Sequence, residues 1–437
     1  MVRGLLSFLA AMAGELSSTV PVDSTSPFHY RIDHPDPLAG AAVDHRAMVR
    51  DALDACRDLL LSERGGTAEN CLAKRVLALY SSFDDSARGA FFDGLIDRFS
   101  IDPAALQRAA GAYSRHPSEE ALRALRQAGE SPRRTLFLRL SGAPGATAGL
   151  VRMREHLQGQ AWTAIESDLM HVLGLLFNRG VLDFQQIDLE TPFSVLERLI
   201  AAEAVHPVSE WREMGRRLEG DRRCYAFFHP AWPQEPLIFT EVALTRGIAS
   251  RMQPILDPDS PVEDPRTCDT AMFYSISNCQ PGLRGFSFGN ALLSRAIEQL
   301  RAEMPWLRRF ATISPIPGFR SWLSGSAGSL DPSKDDLLAL CAHYLVRVKQ
   351  DGEPADAVAR FHLGNGARLH RLNSSSDLSP AGIRRSAGVT VNYVYALHEL
   401  ERNAETYRRS HEVRTGREVA RLARQAEPLL SNPPLVA

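Results

Sequence analysis

The sequence predicts an α+β protein in two parts, an all-helical domain over residues 1–185 followed by a mixed α/β domain over residues 186–437. Three observations carry this reading. Residues 38–185 contain four prolines and residues 186–437 contain nineteen. Proline removes a helix hydrogen bond and clashes with the preceding turn, so long helices belong to the first stretch. Apolar residues there recur at three- and four-residue intervals, the spacing of one helix face. The second stretch instead carries aromatic and β-branched runs punctuated by proline and glycine, the pattern of strands and turns. At 437 residues the chain has room for two or three domains of ~150 residues each, and the change in proline usage selects two.

In chain order, Met1-Val-Arg-Gly-Leu-Leu-Ser-Phe-Leu-Ala-Ala-Met-Ala13 has one basic residue and a short apolar stretch before Glu15. It is expected to be the helical end of the mature chain, with a targeting segment as the alternative. Residues 43–61 and 87–99 follow helical spacing. Asp102-Pro103 and His116-Pro-Ser-Glu-Glu120 are helix starts, with proline or acids in the first turn. Ser141-Gly-Ala-Pro-Gly-Ala-Thr147 is a loop. Nothing in this part suggests chemistry, so packing or subunit assembly is its expected role.

In the second part, Cys224-Tyr-Ala-Phe-Phe-His229 and Leu237-Ile-Phe-Thr-Glu-Val-Ala-Leu244 predict two strands joined by a turn. Ala271-Met-Phe-Tyr-Ser-Ile-Ser277 is a third. A helix over 287–301 follows, with Phe288, Leu292, Ala296 and Leu300 on one face. Phe310-Ala-Thr-Ile-Ser314 is a strand stopped by Pro315 and Pro317. Strand, glycine-bearing turn, helix and strand make a βαβ unit, whose functional edge lies at the strand C-termini and the helix N-terminus.

Composition excludes several classes. Fifty Lys and Arg against 52 Asp and Glu leave a net charge of −2, unlike the basic surface of a nucleic-acid binder. Apolar runs stop at about seven residues, short of the ~20 that span a bilayer. Six cysteines at 56, 71, 224, 268, 279 and 341 form no two-residue pair, so they are expected to be reduced thiols in a cytoplasmic protein rather than a zinc or redox motif. His362, His370 and His398 are not spaced as one helical ligand set, and no metal site is predicted.

Three segments remain that could carry chemistry. Gln280-Pro-Gly-Leu-Arg-Gly-Phe-Ser-Phe-Gly-Asn290 lies between the third strand and the helix. Its glycines at 282, 285 and 289 permit φ > 0 and close backbone approach, which suits a pyrophosphate at a helix N-terminus. The spacing is neither a Walker loop nor a dinucleotide fingerprint, and a tight turn without ligand would explain it as well. Thr312-Ile-Ser-Pro-Ile-Pro-Gly-Phe319 presents Ser314 at a strand end, either as a reactive hydroxyl or as one that merely bonds nearby backbone. Phe361-His-Leu-Gly-Asn-Gly366 places His362 before an Asn-Gly turn, where a structural or solvated histidine is the competing reading.

Taken in order, these segments resemble the malonyl-CoA decarboxylase family. The resemblance also includes Ala204-Val-His-Pro-Val208, Arg222-Arg-Cys-Tyr225, Phe273-Tyr-Ser-Ile-Ser277 and Val391-Asn-Tyr-Val-Tyr395. It runs from about residue 170 to about 400 and is most specific at Ser314-Pro-Ile-Pro-Gly-Phe319. It implies a catalytic domain of the GCN5-type acetyltransferase kind, a catalytic Ser314 and His362, and a further active-site serine at Ser275. The CoA-binding turn falls on Arg284, Gly285, Phe286, Ser287, Phe288, Gly289 and Asn290. Some family members carry a glutamate where this chain has Ser287, so no acidic role transfers there. The stretch from Trp322 to Phe361 is shorter than in animal members, as in a compact bacterial form.

The implied reaction converts malonyl-CoA to acetyl-CoA and CO₂. Negative charge left at C2 is shared with the thioester oxygen, so no cofactor is required. The protein must anchor CoA, stabilise the enolate and protonate C2, for which a histidine of near-neutral pKa is the expected donor. An N-acyltransferase on the same scaffold and a non-catalytic CoA-binding assembly protein are the rivals. A helical domain beside a catalytic one points to a homo-oligomer, dimer or tetramer.

Overall fold

The computed structural model describes residues 44–63, 65–326 and 333–431; the N-terminal segment discussed above and the last six residues lie outside them. Among the described residues eight helices come first: α1 (His45–Leu61), α2 (Thr67–Ser81), α3 (Asp85–Phe99), α4 (Pro103–Arg115), α5 (Glu119–Ala128), α6 (Pro132–Leu140), α7 (Ala146–Leu157) and α8 (Thr163–Leu176). Their starts follow from local chemistry. Asp84 accepts from the Ala87 N–H at 2.8 Å, Asp102 precedes Pro103 and accepts from the Ala104 N–H at 2.9 Å, and Ser118 accepts from the Ala121 N–H at 3.1 Å ahead of Glu119 and Glu120. Each side chain satisfies an amide that has no partner inside the helix.

The second part is built on one sheet of seven strands: β1 (Asp183–Ile187), β2 (Arg222–Phe228), β3 (Ile238–Thr245), β4 (Thr270–Asn278), β5 (Arg309–Thr312), β6 (Arg368–Asn373) and β7 (Thr390–Val394), in the spatial order β1-β2-β3-β4-β5-β7-β6. All neighbours are antiparallel except β4 and β5, which run parallel. A parallel pair needs a crossover, here α9 (Phe288–Glu303), which buries Phe288, Leu292, Ala296 and Leu300 against β2 and β3. The α+β order expected from the sequence is therefore present.

Two departures from regular pairing shape the sheet. Glu241 pairs with Ser275 and Val242 with Phe273, so Tyr274 is an extra residue in β4. A one-residue bulge reverses the alternation beyond it. Phe273 and Ile276 consequently share a face, while Ser275 and Ser277 turn to the other, where Glu203 lies. Beyond Thr312, β5 leaves β4 because Pro315 and Pro317 have no N–H to give. Ser314 instead pairs with Val391 of β7 through two backbone hydrogen bonds of 2.9 Å. One apolar cluster runs through both parts, from Phe91, Phe137 and Leu150 of the helices to Phe273, Leu292 and Tyr393 of the sheet. Among the described residues no helix is long and apolar enough to cross a membrane, and the six cysteines are free thiols.

Candidate active site

Where β5 leaves β4, a cavity of about 430 Å³ is lined by Phe273, Ile276, Ser314 and His362 together with Gly285, Phe286, Ser287, Gly289 and Asn290. His362 comes from α10 (Ala357–Gly364) and is buried, as is Ser314. Their side chains meet, with Ser314 Oγ 3.1 Å from His362 Nε2. His362 Nδ1 lies 2.7 Å from the Tyr395 hydroxyl, and the imidazole stacks on Tyr393 with centroids 4.6 Å apart. Ser314 Oγ donates to Thr312 Oγ1 at 2.9 Å.

These contacts assign the imidazole protons. Since Ser314 gives its proton to Thr312, His362 must donate from Nε2 to Ser314 Oγ. Nδ1 of the neutral ring is then the acceptor for Tyr395, whose phenol is held protonated by burial. Burial also pushes His362 down to about 3, because the imidazolium would lose its hydration with no carboxylate nearby to replace it. The near-neutral histidine expected from the sequence is thus a neutral imidazole through the ordinary pH range.

One carboxylate fixes the spacing of the pair. Asp356, buried, caps α10 by accepting from the Ala359 N–H at 2.9 Å and also accepts from the Gly318 N–H at 3.5 Å. It thereby joins the start of the His362 helix to the turn that follows Ser314.

Ser287, also on the cavity lining, precedes α9 without a side-chain cap. The first-turn amides of a helix have no partner within it, and Gly289 and Asn290 of that turn line the cavity. Of the three glycines, Gly285 alone has positive φ, at 95°. Gly282 and Gly289 are required by packing. A Cβ on Gly282 would stand 2.1 Å from the Val151 carbonyl oxygen of α7, and one on Gly289 would stand 2.7 Å from the Phe361 ring. The close approach predicted at these two positions is therefore to protein.

The turn is held from the helical part. Arg154 of α7 is buried, and its Nη1 donates to the carbonyls of Gly282 at 2.6 Å and Arg284 at 2.8 Å. Its guanidinium lies 5.5 Å from the Phe286 ring centre, and Phe286 stacks on Phe288. Within the turn the Arg284, Phe286 and Phe288 N–H groups already donate to the carbonyls of Pro281, Leu283 and Phe286, so the amides suited to an anion are those of the first turn of α9, at Gly289 and Asn290.

The chain matches the family described as malonyl-CoA decarboxylase C-terminal domain over residues 180–336 and 326–431, and the corresponding N-terminal domain over residues 99–177. The chain belongs to the malonyl-CoA decarboxylase family. It is an enzyme of that class. It is 34% identical over 343 residues to the mitochondrial malonyl-CoA decarboxylase of Anser anser anser, covering 65% of this chain and 68% of that protein. With the mitochondrial protein of Rattus norvegicus it shares 32% identity over 349 residues, 67% and 71% of the two chains. Among solved structures, malonyl-CoA decarboxylase from Agrobacterium vitis is 40% identical with a TM-score of 0.81, and that from Rhodopseudomonas palustris is 38% identical with 0.79. Each covers 85% of this chain and 99% of its own.

Of the residues singled out in the sequence, Ser314, His362 and the segment Gly285–Asn290, apart from Phe288, line one cavity. Phe288 is buried beneath the turn, and Arg284 enters it at the residue whose carbonyl Arg154 holds. Ser275 does not line the cavity; its hydroxyl donates to Glu203 at 2.6 Å on the far side of the bulge. Asp356 had an available signal, an N-cap aspartate before a helical run. Arg154 had none, since its partners lie 128 and 130 residues away.

Proposed function

We propose that this chain decarboxylates malonyl-CoA to acetyl-CoA and CO₂ without a cofactor, with Ser314 and His362 as the catalytic pair. The observation that carries the proposal is the 3.1 Å contact between Ser314 Oγ and His362 Nε2 in a cavity that a helix N-terminus also lines. The CoA pyrophosphate is held at the end of the Arg284–Asn290 turn by the first-turn amides of α9, at Gly289 and Asn290, where the helix dipole favours negative charge. The malonyl group then reaches Ser314.

When the bond from C2 to the carboxylate breaks, its electron pair enters the thioester as an enolate and CO₂ leaves. The walls around the pair are apolar, so a hydrogen bond to the developing charge is stronger than in water, and preorganised donors of this kind contribute roughly 3–4 kcal/mol each. The Ser314 hydroxyl passes its proton to C2 and takes the one on His362 Nε2, while Nδ1 takes the Tyr395 phenol proton so that the imidazole stays neutral. One solvent proton per turnover restores the pair, which balances the loss of CO₂ from the carboxylate. A neutral imidazole is suited to this relay because it both donates and accepts. Tyr395 holds the ring in the required tautomer. Ser275, joined to Glu203, supports the back of β4 behind the cavity.

Purified protein given malonyl-CoA, with no acceptor or cofactor, is expected to form acetyl-CoA and CO₂ in equal amounts. Transfer of the acyl group only when an amine is added would replace this reading with the acyltransferase. Binding without turnover would leave a CoA-binding protein.

A further inference from the structure

We propose that a second pocket, on the β1–β2 side of α9, takes the phosphorylated nucleoside end of the CoA thioester, an inference that rests on the malonyl-CoA reading above. The first cavity, at about 430 Å³, is at the small end of the ~300–1,000 Å³ usual for ligand sites. It has room for an acyl group and the pantetheine arm, and a nucleotide would extend beyond it. The second pocket holds about 460 Å³ and shares Asn290 with the first. The first turn of α9, where a pyrophosphate would sit, therefore lies between them.

The lining matches a 3′-phosphorylated purine nucleoside. Arg179 and Arg295 both face the pocket. Arg179 is anchored beside the turn by donating to the Ser287 carbonyl at 3.3 Å. Arg295 is fixed by Glu298 at 3.0 Å and by its position 5.6 Å from the Phe184 ring centre. A phosphomonoester carries a charge of about −1.5 to −2 and accepts forked hydrogen bonds from guanidinium groups. Phe184, itself stacked on Tyr225 at 5.2 Å, offers an aromatic edge to a base. Asp183, the one carboxylate of the lining, accepts from an exocyclic amine or a ribose hydroxyl and gives no support to the phosphate. The pocket thus separates a cationic end on α9 from an acceptor on β1. Its residues before β1 come from the segment joining the helical part to the sheet, so neither part makes the site alone.

The test compares kcat/KM for malonyl-CoA and malonyl-3′-dephospho-CoA in the wild type and in the double variant Arg179→Gln/Arg295→Gln, alongside calorimetric binding of CoA and 3′-dephospho-CoA. Charge-assisted hydrogen bonds of ~1.5–3 kcal/mol predict that the wild type prefers the 3′-phosphorylated compounds by roughly ten-fold or more. The double variant is expected to bring both ratios close to one. Equal use of the two thioesters by the wild type, or an unchanged preference in the variant, would overturn the proposal. If no thioester releases CO₂, the decarboxylase reading fails, and the two calorimetric affinities still decide this one.

Discussion

In the sheet region the proposed site is made of side chains that reach the cavity, Ser314 from the end of β5 and His362 from α10. In the helical region, residues 45–176, the contribution is to hold the turn, chiefly through the Arg154 guanidinium reaching from α7 to two of its carbonyls, with Gln158 donating to the Pro281 carbonyl at 3.1 Å. Both regions belong to one apolar core, so the difference is not one of packing. It separates residues that can change bonds from residues that decide where backbone amides point. The first kind should appear in kcat and the second in KM.

The sharpest break of that comparison is on the sheet side. Ser314→Ala and His362→Asn are each expected to lower kcat by ~10²–10⁴ with KM for malonyl-CoA little changed, read by steady-state CO₂ release. Near-normal turnover in either variant would remove that residue from the chemistry.

Arg154→Ala is the matching change on the helical side. It leaves the buried carbonyl of Gly282 and the part-buried one of Arg284 without their donor, at about 1–3 kcal/mol for the buried group. Thermal unfolding should register the loss, and KM should rise by roughly ten-fold or more while kcat changes less. A fall in kcat at constant KM would contradict the division of labour.

Asp356→Asn probes the boundary between the two kinds, since Asp356 touches neither substrate nor hydrogen-bonded pair. One oxygen remains to cap α10, and the acceptor for the Gly318 N–H is lost. A drop of about three- to ten-fold in kcat at unchanged KM is expected, with Asp356→Ala lower still because the cap, worth ~0.5–2 kcal/mol, is also gone. Equal loss of stability without any kcat effect would make Asp356 only structural.

The remaining effect expected is on stability against acid. His362 folds with its pKa depressed to about 3, whereas an unfolded histidine titrates near 6.5. Its contribution is complete above pH ~6.5. As pH falls towards 3 the unfolded chain takes up a proton that the folded chain refuses, and up to about 1.4 kcal/mol is lost per pH unit. The buried His206, whose pKa is also lowered by burial, acts in the same direction. Denaturant midpoints measured from pH 7.5 to 4.5 should fall less in His362→Asn than in the wild type.

Much of this was legible in the sequence because it is local. Helix starts at Asp84, Asp102 and Ser118 follow from capping chemistry, and β5 ends where Pro315 and Pro317 require it. The spacing of Ser314 and His362 was legible only through the family resemblance. Three features were not local. The bulge at Tyr274 leaves the apolar alternation looking regular while it reverses which face Ser275 occupies. The depressed pKa of His362 arises from burial by Tyr393 and Tyr395, which are distant in the chain. Arg154 lies on a helix whose pattern is explained by packing alone. Position along a strand or helix can be read from spacing, but desolvation and long-range hydrogen bonds depend on how elements meet.

The central claim is that His362 works as a buried neutral imidazole rather than as an imidazolium acid. The pH dependence of kcat for CO₂ release from malonyl-CoA tests it most directly. The account predicts a kcat that stays level from pH ~5.5 to 8, with no step at the ordinary histidine pKa of about 6.5. A kcat that falls ten-fold per pH unit above a midpoint near 6.5, and does so in the wild type but not in His362→Asn, would contradict it.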